Sequence, residues 1–267
     1  MTRGGTLWQA LAVVVGIWVL VPIYLLATSA FGGTQVINAW PKSFLPTHIS
    51  VETLAFFFGV AGVWKAILNS VLVAAMTMVL AVALGAPAGY ALARYTFRGK
   101  DAYRLLILLT RAFPIAILAL PLTVRFIQIG IYDTVLAVAL VHTALALPFA
   151  TLVSSSLFIG IPRELEEAAW TLGCNRLQAF WKVVWPLARP GIAATAIFAF
   201  VISWNEVFAA SVLTLRNRTL TGFLLASLNE SPLEFRFAGG LFLIVPALVF
   251  IFVVRRHLFT MWGIANR

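Results

Sequence analysis

Apolar residues fill six long segments of the chain, and shorter polar intervals separate these segments. They cover approximately residues 7–30, 66–93, 105–126, 135–159, 191–213 and 237–254. An α-helix rises about 1.5 Å per residue, so segments of about 20 residues span a hydrocarbon core about 30 Å thick. The pattern therefore predicts an all-α polytopic membrane protein, with six transmembrane helices in one domain over residues 1–267. The first segment is too long for a signal peptide, and we expect it to remain as an uncleaved span.

The longest polar interval, residues 162–190, begins with the periodicity of a short amphipathic helix. Pro162 suits the first helical turn, where its missing N–H group needs no partner. The helically spaced apolar positions are Leu165, Ala168, Ala169 and Leu172. Gly173 suits a left-handed turn that ends this helix. The pattern predicts one helix between Pro162 and Gly173.

A second short helix is predicted in the same interval. Asn175 and Gln178 stand three residues apart, as in a capping box that starts a helix. The apolar stripe that follows consists of Leu177, Phe180, Trp181 and Val184. We expect Pro186 and Pro190 to end this second helix. Two such helices at an angle, attached to a membrane-embedded body, predict a docking surface.

Composition agrees with a membrane protein and argues against a nucleic-acid-binding domain. The chain is 62% hydrophobic and only 10% charged, with a mean hydropathy of +0.99. Its net charge is +10, but the basic residues are distributed among the intervals between the apolar segments. This distribution is typical of membrane topology rather than of a basic polar domain.

The positions of the basic residues predict which side of the membrane each interval faces. One side would hold 12 of them: Arg3, Arg94, Arg98, Lys100, Arg104, Arg163, Arg176, Lys182, Arg189, Arg255, Arg256 and Arg267. The other would hold 6: Lys42, Lys65, Arg125, Arg216, Arg218 and Arg236. Cytoplasmic intervals carry an excess of Lys and Arg. We therefore expect both termini and the interval 162–190 to be cytoplasmic.

The sequence has no pattern that indicates catalysis. His48, His142 and His257 are far apart in the chain, and the chain has one cysteine, Cys174. No zinc-protease, nucleophile-elbow or Walker A motif is present. We therefore expect a non-enzymatic protein without a cofactor of its own. If ATP drives its action, another polypeptide must bind and hydrolyse the ATP.

The interval 162–190 carries a recognisable signature. Glu167, Ala168, Ala169, Gly173, Val183 and Pro186 have the spacing of a conserved cytoplasmic pattern. This pattern, E-A-A, three residues, G, nine residues, I-x-L-P, resembles that of bacterial ABC-importer permeases. Trp185 stands where leucine is usual. The resemblance implies a coupling helix that fits a cleft on an ATPase subunit, with Glu166, Glu167, Ala168, Ala169, Gly173 and Pro186 as the coupling residues. The acidic run Glu164, Glu166 and Glu167 suits a basic protein partner.

Polar residues inside the apolar segments are the candidates for contact with a transported solute, because they are costly in a membrane. Trp204-Asn205-Glu206 resembles an element of maltose-type sugar-importer permeases. The Trp204 ring offers an apolar face for a pyranose, and the other two offer hydrogen bonds to hydroxyls. Glu206 has an equally good alternative role, in which it forms an ion pair with a basic residue of a neighbouring helix and holds the two helices together. Asn69 is a further candidate, although it and His142 fit helix–helix hydrogen bonds better.

The likeness extends over nearly the whole chain. The segments that resemble the smaller six-span permease of carbohydrate importers are Asn69-Ser70, Gly130–Thr134, Ile161-Pro162 and Trp204-Asn205-Glu206. The likeness implies the type I importer fold, a homologous second permease, two ATPase subunits that bind ATP and Mg²⁺, and an extracytoplasmic binding protein. The residues that would contact the binding protein are Ser227, Asn229, Glu230 and Glu234. The implied location is the plasma membrane of a bacterium or archaeon, with a sugar as substrate and no nucleic acid as partner.

The sequence is also compatible with two alternatives. A permease for a polyol, a glycerol-phosphate or another small polar solute would share the cytoplasmic signature. An ion-coupled secondary transporter would need several carboxylates at membrane depth, and Glu206 is the one present in the apolar segments. The second alternative is therefore the weaker of the two.

Overall fold

The protein is helical wherever it has regular secondary structure among residues 3–41, 45 and 48–261, the part that this computed structural model describes. The helices are α1 (Arg3–Phe31), α2 (Gly33–Asn38), α3 (Glu52–Gly59), α4 (Val63–Arg94), α5 (Lys100–Thr110), α6 (Ile115–Gln128), α7 (Val135–Ile159), α8 (Glu164–Thr171), α9 (Arg176–Ala179), α10 (Trp185–Asn205), α11 (Phe208–Leu213), α12 (Leu220–Ser227) and α13 (Leu233–Met261). A π-helical turn, Phe180–Val184, connects α9 to α10. The predicted all-α fold class is confirmed.

Four of the predicted spans overlap helices long and apolar enough to cross a membrane. These are Trp8–Phe31, Val63–Arg94, Val135–Ile159 and Arg176–Asn205 among the residues described. The helix at the fifth predicted span, 191–213, begins before that span and ends at Asn205. The predicted sixth span, 237–254, lies within α13, but several of its side chains lie outside the described set. A fifth candidate is the bent pair α5 and α6. The helices are therefore compatible with six spans.

The predicted third span is not one straight helix. The axes of α5 and α6 differ by 84°, and the break covers the residues from Arg111 to Pro114. Pro114 is extended, with φ −63° and ψ 127°, and it begins α6 from outside the helix. Proline has no N–H group, and its ring disfavours helical geometry in the residue before it. The helix therefore ends before Pro114 and restarts after it.

The chain forms two compact units. The first comprises residues 1–64 and 226–246, and the second comprises 65–225 and 247–267. In the first unit Phe57 is fully buried and packs against Phe235 and Phe242, with ring centroids 5.2 and 6.3 Å away. The prediction of one transmembrane domain over the whole chain stays a prediction.

Small residues bring three helices of the second unit close together. Ala81 of α4, Ala146 and Ala150 of α7, and Ala199 of α10 form one fully buried cluster. A Cβ atom added at Gly85 or Gly89 of α4 would lie 2.9 or 2.7 Å from a side-chain carbon of α7. Small residues allow helix backbones to approach in a membrane. A larger side chain at either glycine would force α4 away from α7.

Candidate functional site

The first helix of the interval 162–190 ends as predicted. Gly173 has φ +89°, a left-handed conformation that glycine adopts without a steric penalty. The Cys174 N–H group donates to the Ala169 carbonyl at 3.0 Å, and the Gly173 N–H group donates to the Trp170 carbonyl at 3.0 Å. This pair of bonds is a Schellman motif, which satisfies the last carbonyls of α8. The chain therefore turns sharply after α8.

The second helix begins as predicted but does not end where we expected. The Gln178 N–H group donates to Asn175 Oδ1 at 2.8 Å, and the Asn175 N–H group donates to Gln178 Oε1 at 3.0 Å, which is a capping box. The helix then passes Pro186 and Pro190 and continues to Asn205. The expected end at these prolines is wrong. The π-helical turn before Pro186 makes room where the proline ring would crowd the carbonyl four residues earlier.

The helix pair therefore consists of α8 and the first part of a long helix that reaches into the membrane-spanning body. Pro186 is exposed near the start of α10. The helix that begins with α9 thus continues through the π-helical turn into α10. We call α8 together with α9 the elbow (residues 164–179).

One predicted coupling residue points into the protein. The Glu166 carboxylate is 2% exposed and forms an ion pair with Arg94, at the end of α4. Its other oxygen, Oε2, accepts a hydrogen bond of 2.6 Å from the Tyr90 hydroxyl. Arg94 Nη2 also donates to the Ile161 carbonyl at 3.0 Å. Glu166 therefore attaches α8 to α4 and cannot face an external partner in this conformation.

The other elbow residues leave an apolar surface with an acidic edge. Ala169 is buried, whereas Glu167, Ala168 and Gly173 are exposed. The large apolar side chains exposed on the elbow are Leu165, Leu172 and Leu177, with Leu172 85% exposed, and Trp181 of the following π-helical turn is exposed beside them. Glu167 is 56% exposed and makes a loose ion pair with Arg163 at 3.7 Å. Exposed apolar clusters with a polar rim mark interaction sites. The role of these residues in contacting a partner stays a prediction.

Glu206 lies in a polar network where the helix breaks after Asn205. Its Oε2 is 3.0 Å from His142 Nε2, and His142 Nδ1 is 2.8 Å from the Ser203 hydroxyl. The N–H groups of residues 208–210 donate to the same carboxylate at 3.0–3.1 Å. The carboxylate thus caps α11 and joins α7 to α10. This geometry favours the role in which Glu206 holds neighbouring helices together, with His142 as its partner rather than a lysine or arginine.

The remaining candidates for the solute pathway are largely occupied by internal contacts. Trp204 is 3% exposed, and its ring lies nearly parallel to that of Phe200, with centroids 6.1 Å apart. Its indole face is therefore covered in this conformation. Asn205 is exposed and donates to the Val201 carbonyl at 3.0 Å. Asn69 is buried and donates to the Arg218 carbonyl at 3.1 Å. Contact of these residues with a solute stays a prediction.

The predicted binding-protein contacts lie near the start of α13. Ser227 ends α12, and Asn229 and Glu230 are exposed in the following turn. Glu234 lies in the first turn of α13 and lines a cavity of about 250 Å³ with Glu52. Ser227 and Glu234 are half-buried, and contact of these four residues with a binding protein stays a prediction.

Sequence reasoning missed Asp133, in the turn before α7. Its Oδ1 accepts the backbone N–H groups of residues 215–217 at 2.8–3.0 Å. Burial raises the pKa of the Asp133 carboxyl, but these N–H groups and the Lys65 ammonium outweigh burial and lower it below its ordinary value of 3.8. Asp133 has φ +58°, which Asp tolerates better than most residues. A single Asp in a turn is too common a signal to identify such a clamp.

Sequence reasoning also missed Tyr90 and Arg94 as partners of Glu166. Their spacing of four residues places both on one face of α4. That signal was available, but nothing in the sequence indicates that α8 returns to this face. No group of three or more His, Cys, Asp or Glu suited to a metal ion occurs in the part of the chain that the structure describes.

Comparison with known proteins decides the family. Residues 81–259 match the family described as binding-protein-dependent transport system inner membrane component. The chain belongs to this family. It is therefore a multi-pass membrane component of an importer, and its role is transport rather than catalysis.

Two relatives and one solved structure illustrate the likeness. The trehalose transport system permease protein of Mycobacterium tuberculosis is 32% identical, over 96% of this chain and 95% of that protein. The diacetylchitobiose uptake system permease protein NgcG of Streptomyces coelicolor is 35% identical, over 75% of this chain and 64% of that protein. A crystal structure of a bacterial ABC transporter that imports alginate contains a chain with a TM-score of 0.76 and 22% identity, covering 96% of this chain and 98% of that one. The structural likeness confirms the fold.

Proposed function

We propose that this chain is the permease subunit of an ATP-driven importer and forms half of the pathway for a small saccharide. The observation that carries the proposal is the nearly full-length likeness to a trehalose permease, at 32% identity. A second relative with 35% identity belongs to a disaccharide uptake system. Saccharides are therefore a better match than polyols or glycerol-phosphates, which we keep as the alternative substrate class.

The elbow supports ATP-driven rather than ion-driven transport. Its exposed apolar side chains offer a surface for a protein partner, and the continuous helix behind α9 reaches into the membrane body. The chain has no Walker A motif, so the ATP must be bound elsewhere. The excess of basic residues on one side supports a cytoplasmic location of the elbow and both termini, where ATP is available.

The proposed assembly has four kinds of partner. A homologous second permease completes the pathway, and two ATPase subunits bind ATP and Mg²⁺ and contact the elbows. An extracytoplasmic binding protein delivers the saccharide, with Ser227, Asn229, Glu230 and Glu234 as candidate contacts. The solute itself would meet the protein at Asn205, which is exposed, and at Trp204, Glu206 and Asn69 after a conformational change uncovers them.

Purification of the full-length chain from its own membranes tests the proposal. We expect an ATPase and a second permease to co-purify and to be identified by mass spectrometry. Vesicles containing the complex should take up trehalose or another disaccharide when supplied with ATP and the binding protein. Uptake by the chain alone on an ion gradient would contradict the proposal. Uptake of glycerol-phosphate but of no saccharide would support the importer function and would replace saccharides as the proposed substrate class.

A further inference from the structure

We propose that the buried cluster of Glu166, Arg94 and Tyr90 is the joint that makes the elbow and α4 move as one body. This inference rests on the proposed function, in which the ATPase subunits drive the elbow. In this view Glu166 is a positioning residue: it does not touch the ATPase but passes on the movement that the ATPase causes. We call these three residues the joint.

The joint holds α8 in orientation as well as in position. The two carboxylate oxygens of Glu166 bind different side chains, with Arg94 on Oε1 and Tyr90 on Oε2. These two residues are one helical turn apart on α4. A single hydrogen bond allows rotation about its axis, whereas two bonds to successive turns do not. Rotation of α8 must therefore be accompanied by α4 or must break a bond.

Arg94 extends the joint to the entry of α8. Its Nη2 donates to the carbonyl of Ile161, three residues before α8 begins. Ile161 is buried in an apolar cluster with Phe158 and Val184. The Tyr90 ring packs edge-on against Phe158 and Phe180, with centroids 5.4 and 4.9 Å away. The polar contacts are thus enclosed by packed side chains from α4, α7 and the π-helical turn.

Burial distinguishes the ion pair of Arg94 and Glu166 from the neighbouring ion pair of Arg163 and Glu167. The side chains of Arg94 and Glu166 are 9% and 2% exposed, whereas those of Arg163 and Glu167 are 58% and 56% exposed. Removing one partner of a buried pair leaves an uncompensated charge, so such a pair resists separation. An exposed pair is screened by water and separates easily. The joint is therefore the contact suited to transmit a displacement.

The rest of α4 can carry such a displacement through the second unit. The helix is continuous from Val63 to Arg94, and Gly85 and Gly89 bring it close to α7. At the far end Asn69 donates to the Arg218 carbonyl, and the Ser70 hydroxyl accepts from the Leu220 N–H group at 2.8 Å. Movement at Arg94 thus reaches the segment between α11 and α12 through one helix.

The test measures the distance between the elbow and α4 in the assembled complex of permeases and ATPases. One spin label is attached to Cys174, the single native cysteine, and one to Val79→Cys on an exposed position of α4. Electron–electron distance spectroscopy compares nucleotide-free complex with complex trapped by ATP and vanadate. In wild type we expect the same distance distribution in both states, because the joint keeps α8 and α4 together.

Glu166→Ala should release the elbow from α4. We expect its distance distribution to shift or broaden by roughly 5 Å, about one helical turn, when ATP and vanadate are added. ATP hydrolysis per molecule transported should rise about tenfold, because the ATPase then works without moving the body. Asp101→Asn is the matched control, because Asp101 is 95% exposed and forms a loose pair with Arg104. It should behave as wild type.

Any one of three outcomes would overturn the proposal. The two labels separate in the wild type, Glu166→Ala retains the wild-type distances, or Glu166→Ala leaves the ATP hydrolysed per molecule transported unchanged. If Glu166→Ala does not assemble, Arg94→Met with Glu166→Leu decides, because an apolar pair of similar volume can replace a buried ion pair without unfolding. Wild-type distances in that double variant would overturn the proposal, and altered distances would support it. Purification of wild type without any ATPase would instead reject the proposed function.

Discussion

The two ends of α4 are attached to their neighbours by different chemistry. Near Val63 the contacts are neutral: Asn69 binds a backbone carbonyl, and Ser70 binds a backbone N–H group. Near Arg94 the contact is a buried ion pair between two side chains, with a tyrosine hydroxyl beside it. The first attachment tolerates changes in the loop side chains because it uses the loop backbone. The second depends on both partners, so it is sensitive to single substitutions.

Asp133 makes the first end more rigid. Its carboxylate collects three successive backbone N–H groups from residues 215–217, beside the Arg218 carbonyl that Asn69 binds. The segment between α11 and α12 is therefore held at several points. One end of α4 is thus clamped to the backbone of residues 215–220, and the other end is linked to α8 through side chains.

The largest expected effect is at the Arg94 end. Glu166→Ala should lower the free energy of unfolding by about 3–5 kcal/mol, because Arg94 keeps a charge that is buried and unpaired. Arg94→Met with Glu166→Leu should recover most of that loss. Thermal unfolding of the purified protein in detergent measures both. A loss below about 1 kcal/mol for the single variant would mean that water reaches the pair.

The next effect is at the clamp. Asp133→Ala should cost about 2–3 kcal/mol, because three N–H groups lose a charged acceptor and alanine must adopt a left-handed conformation. Asp133→Asn should cost less, since asparagine tolerates that conformation and keeps one acceptor oxygen. The same unfolding measurement compares the two variants. Equal losses in both would show that the negative charge, rather than the backbone geometry, holds the segment.

The clamp should also respond to pH. The folded-state pKa of Asp133 is depressed, so its contribution is fully present above the ordinary value of 3.8 and is lost as the pH falls through the lower folded value. Unfolding temperatures of wild type and Asp133→Asn are measured from pH 7 to pH 3. Their difference should be constant down to about pH 4 and then shrink. A difference that grows on acidification would contradict the depressed pKa.

The smallest expected effect on stability is at the residue next to Glu166. Glu167→Gln should change the free energy of unfolding by less than about 0.5 kcal/mol, because its pair with Arg163 is exposed. We expect its effect on the association of the ATPase, measured by co-purification, to be the larger one. A destabilisation equal to that of Glu166→Ala would remove the distinction between the inward and outward carboxylates of α8.

Several local features could be predicted because they depend on neighbouring residues alone. The left-handed Gly173 and the capping box of Asn175 and Gln178 are examples, since each needs only a few consecutive residues. Prolines were harder to interpret. Pro114 separates two helices, whereas Pro87 and Pro148 lie inside continuous ones. Neighbouring helices decide whether the freed backbone groups are satisfied, and periodicity does not contain that information.

The sequence predicted where the candidate site lies along the chain, but it did not predict which way the side chains point. The sequence placed Glu166 and Glu167 together as coupling residues, and the structure buries Glu166 against α4 while it leaves Glu167 exposed. It offered the Trp204 face for a sugar, and packing against Phe200 covers that face. In each case the chemistry of the side chain was known, but the element that packs against it came from a distant part of the chain.

The amino-acid sequence by itself determined that this protein is helical, lies in a membrane and carries an elbow between two apolar segments. Hydrophobic periodicity and capping are local, and a bilayer requires helices that satisfy their own backbone groups. Only the tertiary structure decided that Glu166 meets Arg94 and Tyr90, that Glu206 meets His142, and that Asp133 holds residues 215–217. These pairs are more than 60 residues apart, and the packing of small residues between α4, α7 and α10 sets the distances at which side chains from separate helices meet.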